Sequence, residues 1–144
     1  MQLTRFSDLS LRILMYLASQ ELPGSATVTA RRAAALFNVP YTHMVKVVHQ
    51  LGRHGFLVTT KGKGGGLRLA RSPDLIRVGD VLRSTEPGKS VIDCFTQACP
   101  LRSNCLLKTA FDEAYQAFFA TMDRYTLAEV AKTPGLQELV QMSA

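Results

Sequence analysis

A short break between two helical stretches constrains the fold of this chain more than any other feature. Residues 41–55, YTHMVKVVHQLGRHG, carry apolar side chains at three- and four-residue steps, which predicts one buried helix face. These side chains are Met44, Val47, Val48 and Leu51. The stretch ARRAAALF precedes them, and Asn38-Val39-Pro40 separates the two. Pro40 suits the first position of the second helix, and Gly55 suits the left-handed position that ends it. The pattern predicts a helix-turn-helix.

The helices before this break have recognisable ends. Ser7 is a candidate cap for a first helix through DLSLRILMYLASQ, and Pro23-Gly24 is expected to end it. Thr27 or Thr29 is expected to cap the second helix, ARRAAALF. The chain therefore enters the helix-turn-helix from an additional amphipathic helix.

Two short strands are predicted directly after the helix-turn-helix. FLVTT and LRLA have strand character, and the loop KGKGGG at residues 61–66 joins them. A nucleotide phosphate loop is disfavoured, because no GxxxxGK[ST] motif is present and the glycines join strand to strand. A hairpin in this place is a wing. The predicted fold class is mainly α with a small β-hairpin wing: a winged helix-turn-helix domain followed by a long C-terminal dimerisation helix.

The second half of the chain is predicted to be helical outside one irregular segment. IRVGDVLRSTEP indicates a short helix that ends before Pro87. A long helix is expected from about Leu101, and Thr126 with Glu129 matches a capping box for a last short helix. The long helix is apolar on more than one side, which predicts pairing with its copy in a second subunit. Packing within one monomer is the alternative.

Charge divides the chain into two parts. Residues 1–80 carry 11 Lys and Arg against 4 Asp and Glu, whereas residues 81–144 carry 6 against 7. This asymmetry predicts a polyanion partner for the first part and a different role for the second. We therefore divide the chain into a DNA-binding domain at 1–80 and a cysteine segment with dimerisation helix at 81–144. No stretch is apolar enough to predict a membrane span.

Candidate DNA contacts follow from the geometry of a winged helix-turn-helix. The N-terminal residues of its second helix meet base edges in the major groove, while basic residues elsewhere contact phosphates or the minor groove. The base-contact candidates are Tyr41, Thr42 and His43, with Lys46 for base or phosphate. The wing candidates are Lys61, Lys63 and Arg68, and Arg31 with Arg32 are candidates to clamp the backbone. For individual residues, simple solvation or packing is the alternative.

The chain's three cysteines, Cys94, Cys99 and Cys105, lie within DCFTQACPLRSNC. An odd number excludes complete internal pairing, and residues 1–6 lack the apolar run of a signal peptide, so a reducing cytoplasmic location is expected. The spacing C-x4-C-x5-C is wider than usual zinc pairs, and the histidines lie in the first half. An iron-sulphur cluster with one ligand missing fits better.

Other interpretations of the cysteines remain open. In one interpretation the three cysteines are unconnected thiols. In another they belong to a zinc-stabilised interaction module without a sensing role. A thiol oxidoreductase is disfavoured, because the chain has no C-x-x-C motif and no histidine near the thiols to activate one. No enzymatic activity is expected.

Several motifs together resemble the NsrR nitric-oxide-sensing repressors, within the winged-helix iron-sulphur regulators that also include IscR. They are MQLTRFSDLSLRILMYLA, HMVKVVHQL, KGKGGGLRLA, IRVGDVLR, the three cysteines and YTLAEV. The resemblance spans nearly the whole chain. It implies a homodimer on a partly palindromic double-stranded operator, with a cluster that nitric oxide attacks so that DNA affinity falls. A relative that senses iron, cluster supply or redox stress is the nearest alternative.

The resemblance also bears on the cluster ligands. It implies ligation by Cys94, Cys99 and Cys105, with 4Fe-4S favoured over 2Fe-2S. IscR-like proteins place a histidine where this chain has Lys108, whereas NsrR-like proteins use an N-terminal aspartate, which implies Asp8 of the partner subunit as the fourth ligand. Asp8 is otherwise expected in the first helical turn with Arg12 at i+4, so Arg12 is a candidate for coupling cluster and DNA. Asp93 is the alternative ligand.

Overall fold

The fold is mainly helical with one small β-hairpin, as predicted. The computed structural model describes residues 2–20, 27–86, 88, 90–94, 96 and 99–142. Its helices are α1 (Arg5–Ser19), α2 (Ala30–Leu36), α3 (Tyr41–Arg53), α4 (Val78–Thr85), α5 (Leu106–Met122), α6 (Leu127–Val130) and α7 (Pro134–Met142). Its strands are β1 (Leu57–Thr59) and β2 (Leu67–Leu69), and a 3-10 turn lies at Pro73–Leu75. Among the helices described, none is both long and apolar enough to cross a membrane.

Helix α1 begins three residues earlier than the sequence indicated. Thr4 is its N-cap, because the Thr4 hydroxyl accepts a hydrogen bond from the Ser7 backbone N–H at 3.1 Å. The prediction of Ser7 as the cap is therefore wrong: Ser7 lies inside the helix and is fully buried. Asp8 stays in the first turn. The predicted stop at Pro23-Gly24 lies outside the described residues.

Helices α2 and α3 form the predicted helix-turn-helix. Thr29 caps α2 by accepting from the Arg32 backbone N–H at 3.1 Å. In the turn, Asn38 takes a positive φ of 49°, a conformation that asparagine tolerates better than most residues. Pro40 is the N-cap of α3, one position before the predicted place. The predicted apolar face, Met44, Val47, Val48 and Leu51, is buried.

The end of α3 sets the direction of the wing. Gly55 adopts φ 73°, as predicted, and its N–H donates to the Gly52 carbonyl at 3.1 Å. The Phe56 N–H donates to the Leu51 carbonyl at 3.0 Å, which completes a Schellman motif. The chain then reverses directly into β1.

The wing is an antiparallel hairpin attached to the start of the helix-turn-helix. β1 pairs with β2 in the register Leu57 with Leu69 and Thr59 with Leu67. The Leu67 N–H also donates to the Val28 carbonyl at 2.8 Å, so β2 is held on its second side. Gly66 lies at this junction, where a Cβ atom would stand 2.5 Å from the Val28 carbonyl oxygen. The wing is therefore bonded to both ends of the helix-turn-helix.

Helix α4 is fastened to the C-terminal end of α5. The two terminal nitrogens of Arg83 donate to the two carboxylate oxygens of Asp123 at 2.7 and 2.5 Å, and the Arg83 guanidinium lies 4.9 Å from the Phe119 ring centroid. These hydrogen bonds raise the pKa of Arg83 and lower the pKa of Asp123. Gly79 leaves room for the pair, because a Cβ there would meet an Asp123 oxygen at 1.9 Å.

Helix α5 begins later than predicted. The sequence indicated a start near Leu101, but the first helical residue is Leu106 and Cys105 is the N-cap. Residues 99–104 instead fold as two successive turns, in which Arg102 N–H donates to the Cys99 carbonyl and Asn104 N–H to the Leu101 carbonyl. The prediction was wrong because Leu101 fits the helical period, whereas the backbone hydrogen bonds of residues 99–104 are those of turns.

One core unites both ends of the chain. Ile13 and Leu14 of α1 are fully buried and belong to the same apolar cluster as Leu127 and Leu136 of the last two helices. The predicted capping box at α6 is confirmed, since Thr126 and Glu129 exchange both hydrogen bonds. The C-terminal helices thus pack beneath the DNA-binding part rather than forming a separate core.

Candidate functional site

The start of α3 presents its candidate side chains to solvent. Tyr41, Thr42, His43 and Lys46 are all exposed, at and near the N-terminal end of the helix. The Pro40 N-cap provides no side-chain hydrogen bond to the first turn. An exposed, uncapped helix start is suited to contacts in the major groove.

The candidate clamp residues at the start of α2 have different surroundings. Arg31 is exposed, and its guanidinium carbon lies 4.8 Å from the centroid of the Tyr41 ring. Arg32 is partly buried, and its backbone N–H belongs to the Thr29 cap. The two adjacent arginines therefore differ in exposure, and Arg31 has a ring contact with the first residue of the recognition helix.

The wing presents its cations at the tip and on one strand. Lys61 and Lys63 lie in the exposed loop, and Arg68 is exposed on β2. Gly62 and Gly64 take φ values of 94° and 81°, which residues with a Cβ rarely adopt. The glycine backbone thus carries two lysines around a tight reversal, as expected for a wing that approaches a phosphate backbone.

A surface cleft of about 440 Å³ joins α1 to the recognition helix. Its charged lining comes from Arg5, Asp8 and Arg12 of α1 and from Lys46 of α3, and His43 of α3 lines it as well. Arg5 was not among the DNA contacts predicted from the sequence, although this residue follows the N-cap Thr4 and belongs to the positively charged half. Arg5 is a further candidate DNA contact because it shares the cleft with two residues of the recognition helix.

Within this cleft Asp8 is already paired. The Arg12 Nε atom donates to both carboxylate oxygens of Asp8 at 3.0 Å, and the side chains are 56% and 50% exposed respectively. The predicted i+4 ion pair is therefore formed. Because both groups remain half-exposed, the pair contributes only about 0–1 kcal/mol and can be exchanged for another partner.

The three cysteines lie in the irregular segment between α4 and α5, and each is partly buried. Cys105 occupies the N-cap of α5, at the positive end of the helix dipole. Lys108, one turn further on, donates to Asp112, which raises the pKa of Lys108. The charges of Cys94 and Cys105 raise that pKa further, so Lys108 lies within electrostatic reach of both.

Hydrogen bonds hold the start of the cysteine segment and a turn within it. The Tyr115 hydroxyl of α5 donates to the Gly88 carbonyl at 2.8 Å. Before the segment, Glu86 accepts from the Thr4 backbone N–H at 2.8 Å and from the Thr4 hydroxyl at 3.1 Å. Asp93 accepts from the backbone N–H and the hydroxyl of Thr96, so it is engaged in a local turn. The residue that precedes the segment is therefore hydrogen-bonded to the N-cap of α1.

The donor set fits a thiolate-ligated cluster in chemistry. Three thiols share one irregular segment, and cysteine thiolates are the usual protein ligands of such clusters. Among the residues that the structure describes, no three Cys, His, Asp or Glu side chains are gathered closely enough to hold a metal ion.

Comparison with known proteins agrees with the fold and the motifs. The chain is 38% identical over 133 residues to the HTH-type transcriptional regulator NsrR of Halalkalibacterium halodurans, covering 90% of each protein. It is 37% identical over 145 residues to that of Shouchella clausii, covering 98% of this chain and 96% of the relative. The resemblance to the NsrR regulators that the motifs indicated is thereby confirmed.

Solved structures support the fold alone, since their sequence identities are low. CymR, the global cysteine regulator of B. subtilis, superposes with a TM-score of 0.71 at 21% identity, covering 91% of this chain and 96% of CymR. IscR of T. potens superposes with a TM-score of 0.69 at 19% identity, covering 92% of this chain and 87% of IscR.

The family model of Rrf2, described as an iron-dependent transcriptional regulator, matches residues 3–133. The chain therefore belongs to the Rrf2 family, as a DNA-binding transcriptional regulator and not an enzyme.

Proposed function

We propose that this protein is a cytoplasmic, homodimeric repressor whose affinity for a partly palindromic operator is controlled by an iron-sulphur cluster that reacts with nitric oxide. The observation that carries the proposal is the placement of three partly buried thiols in one irregular segment. The residue before this segment, Glu86, is hydrogen-bonded to the N-cap of α1. Residues 1–80 would bind DNA, and residues 81–144 would hold the cluster and the dimer interface. The similarity to NsrR regulators supports nitric oxide as the signal.

The proposed ligands are Cys94, Cys99, Cys105 and Asp8 of the partner subunit. A 4Fe-4S cluster is favoured over 2Fe-2S, and when bound it would supply an iron atom open to a diatomic molecule. Asp8 is half-exposed and held by an exchangeable pair, which supports its availability to a second subunit. Arg12 would then be released from Asp8, and this supports its coupling role. Asp93, next to Cys94, is the alternative ligand, and its carboxylate accepts two bonds from Thr96.

Helix α5 is the proposed dimer interface. Leu106 and Leu107 are 86% and 62% exposed, and Phe119 is the buried side chain of this helix among those described. Covering such a surface with a second copy would remove apolar area from water. We expect Leu107→Glu to shift the protein to monomers in sedimentation experiments. Leu75→Glu, which changes a similarly exposed leucine outside α5, is the control; equal behaviour of the two variants would contradict this interface.

The proposed operator contacts follow the exposed surface of the winged domain. Tyr41, Thr42 and His43 would meet base edges, and Lys46 a base or a phosphate. The phosphate and minor-groove candidates are Lys61, Lys63, Arg68, Arg31 and Arg32. Two such units in a dimer would meet half-sites about 34–36 Å apart on one face of the duplex. Half-site spacing makes DNA affinity sensitive to the arrangement of the two subunits.

The link between cluster and DNA is proposed to run through α1. Thr4 caps α1 and at the same time donates two hydrogen bonds to Glu86, the residue that leads into the cysteine segment. A rearrangement of that segment would displace Glu86 and, through these bonds, the start of α1. Helix α1 lines the cleft that contains His43 and Lys46. Loss of the Asp8 ligand would act on α1 of the partner subunit. The expected result is a changed spacing or tilt of the two recognition helices.

Replacement of one ligand tests this function. Cys99→Ser should purify anaerobically without the visible absorption of an iron-sulphur cluster, bind the operator weakly, and show no further response to nitric oxide. Ser103→Ala, an exposed change in the same segment, should behave as the parent protein. A Cys99→Ser protein that binds the operator as tightly as the parent would contradict cluster control. A parent protein that responds to iron supply but not to nitric oxide would favour the iron-sensing alternative.

A further inference from the structure

Arg31 covers the aromatic ring that opens the recognition helix. Its guanidinium carbon lies 4.8 Å from the Tyr41 ring centroid, and Tyr41 remains 45% exposed. We propose that Arg31 is a positioning residue for base readout: its guanidinium stacks on Tyr41 and fixes the ring, while its charge contacts a DNA phosphate. The proposal rests on the DNA-binding function and adds to it a residue pair that acts as one unit.

Tyr41 needs such a partner because of its place in the chain. It is the first residue of α3, and the Pro40 N-cap supplies no side-chain bond that would order the turn before it. An exposed ring at a helix start is free to change rotamer, and ordering it upon DNA binding would cost conformational entropy. A ring that is already held contributes to discrimination between sequences without that cost.

Arg31 is itself well supported for this role. It is the second residue of α2, the helix that Thr29 caps, and α2 packs against α3. A guanidinium is planar and weakly hydrated, so it stacks on an aromatic face and still presents N–H donors at its edge. A lysine ammonium is a compact point charge and has no planar face with which to stack. One side chain can therefore hold the ring and contact a phosphate at the same time.

The two roles have separable signatures in DNA binding. The stack is an exposed cation–π contact, whose loss changes an equilibrium constant about two- to fivefold. The phosphate contact contributes about 0.9 to the slope of log affinity against log salt, independent of sequence. A purely structural contribution to the helix-turn-helix would weaken specific and non-specific binding together, and would leave their ratio unchanged.

The test uses anaerobically purified dimer and a duplex selected from a random pool by the parent protein, with a scrambled duplex of equal length. Arg31→Lys keeps the charge and loses the stack, so we expect an unchanged salt slope and a two- to fivefold lower ratio of selected to scrambled affinity. Arg31→Ala should lower the ratio equally and also reduce the slope by about 0.9. Arg124→Ala, which removes an exposed arginine outside the winged domain, should leave both quantities unchanged.

A double substitution tests whether the pair acts as one unit. Once Tyr41→Leu has removed the ring, Arg31→Lys should have no further effect on the ratio. Independent effects of the two changes, or a parental ratio in Arg31→Lys, would overturn the proposal. A parent protein that does not distinguish selected from scrambled DNA would instead contradict the proposed function, so the two failures are distinguishable. Thermal melting of each variant identifies any that is not folded.

Discussion

Gly66 lies where the wing meets the helix-turn-helix, and replacing it with alanine should weaken the contact between the two. A Cβ atom at this position would lie 2.5 Å from the Val28 carbonyl oxygen and 2.5 Å from the Thr27 Cγ2 atom. Ordinary contacts begin near 3.4 Å, so the Val28 carbonyl must retreat by about 0.9 Å. The same carbonyl accepts the 2.8 Å hydrogen bond from Leu67, which would lengthen or break.

The cost of Gly66→Ala can be given as an order of magnitude. Overpacking against neighbours that cannot move freely costs about 1–3 kcal/mol in the free energy of unfolding. In a chain of this size that lowers the melting temperature on the order of 3–10 °C. We also expect weaker DNA binding, because Lys61 and Lys63 lie on the wing that this junction holds in place.

The assay is thermal unfolding followed by circular dichroism, with DNA titration at fixed salt. Gly135→Ala is the matched control: a Cβ there has nothing within 4 Å, and alanine favours the helix α7 in which this glycine lies. Its melting temperature should be equal to that of the parent or slightly higher. If Gly66→Ala melts within 1 °C of the parent, the junction does not have the stiffness that the close Val28 contact implies.

Three further predictions concern a cap, a charge and an ion pair. Thr126→Ala should lower the free energy of unfolding by about 1 kcal/mol in urea titrations, because α6 loses its capping box. Lys63→Ala should weaken binding to all duplexes and reduce the salt slope by about one, whereas an effect confined to one base pair would mean that Lys63 reads sequence. Asp123→Asn should destabilise the protein at neutral pH by up to about 1 kcal/mol, given the exposure of the pair with Arg83. Because the pair lowers the pKa of Asp123, this difference should be present above pH ~4 and disappear as pH falls through the folded-state pKa; a pH-independent difference would contradict it.

Local patterns predicted the helix-turn-helix because its determinants are near in sequence. The buried face of α3, the Thr29 cap, the Gly55 termination and the Thr126 capping box each depend on residues a few positions apart. The start of α1 was misassigned because both Thr4 and Ser7 are capping residue types. The choice between them depends on Glu86, which bonds Thr4 across 82 residues of sequence.

The candidate site was less accessible from the sequence, for the same reason. The Arg83–Asp123 pair spans 40 positions, and the Arg31–Tyr41 stack depends on the angle between two helices. Arg5 was overlooked because its relation to His43 and Lys46 exists only in the folded cleft. The cysteine spacing indicated the chemistry of the segment, but a spacing carries no information about the distance between thiols in space.

The central claim is that one cluster controls DNA affinity in response to nitric oxide. The most direct measurement is a nitric oxide titration of the anaerobically purified dimer, with visible absorption and operator binding followed on the same samples at constant salt. The account predicts a coloured protein whose absorption bleaches while operator affinity falls in parallel. A colourless protein with stoichiometric zinc, or a bleached protein that binds the operator as tightly as before, would contradict it.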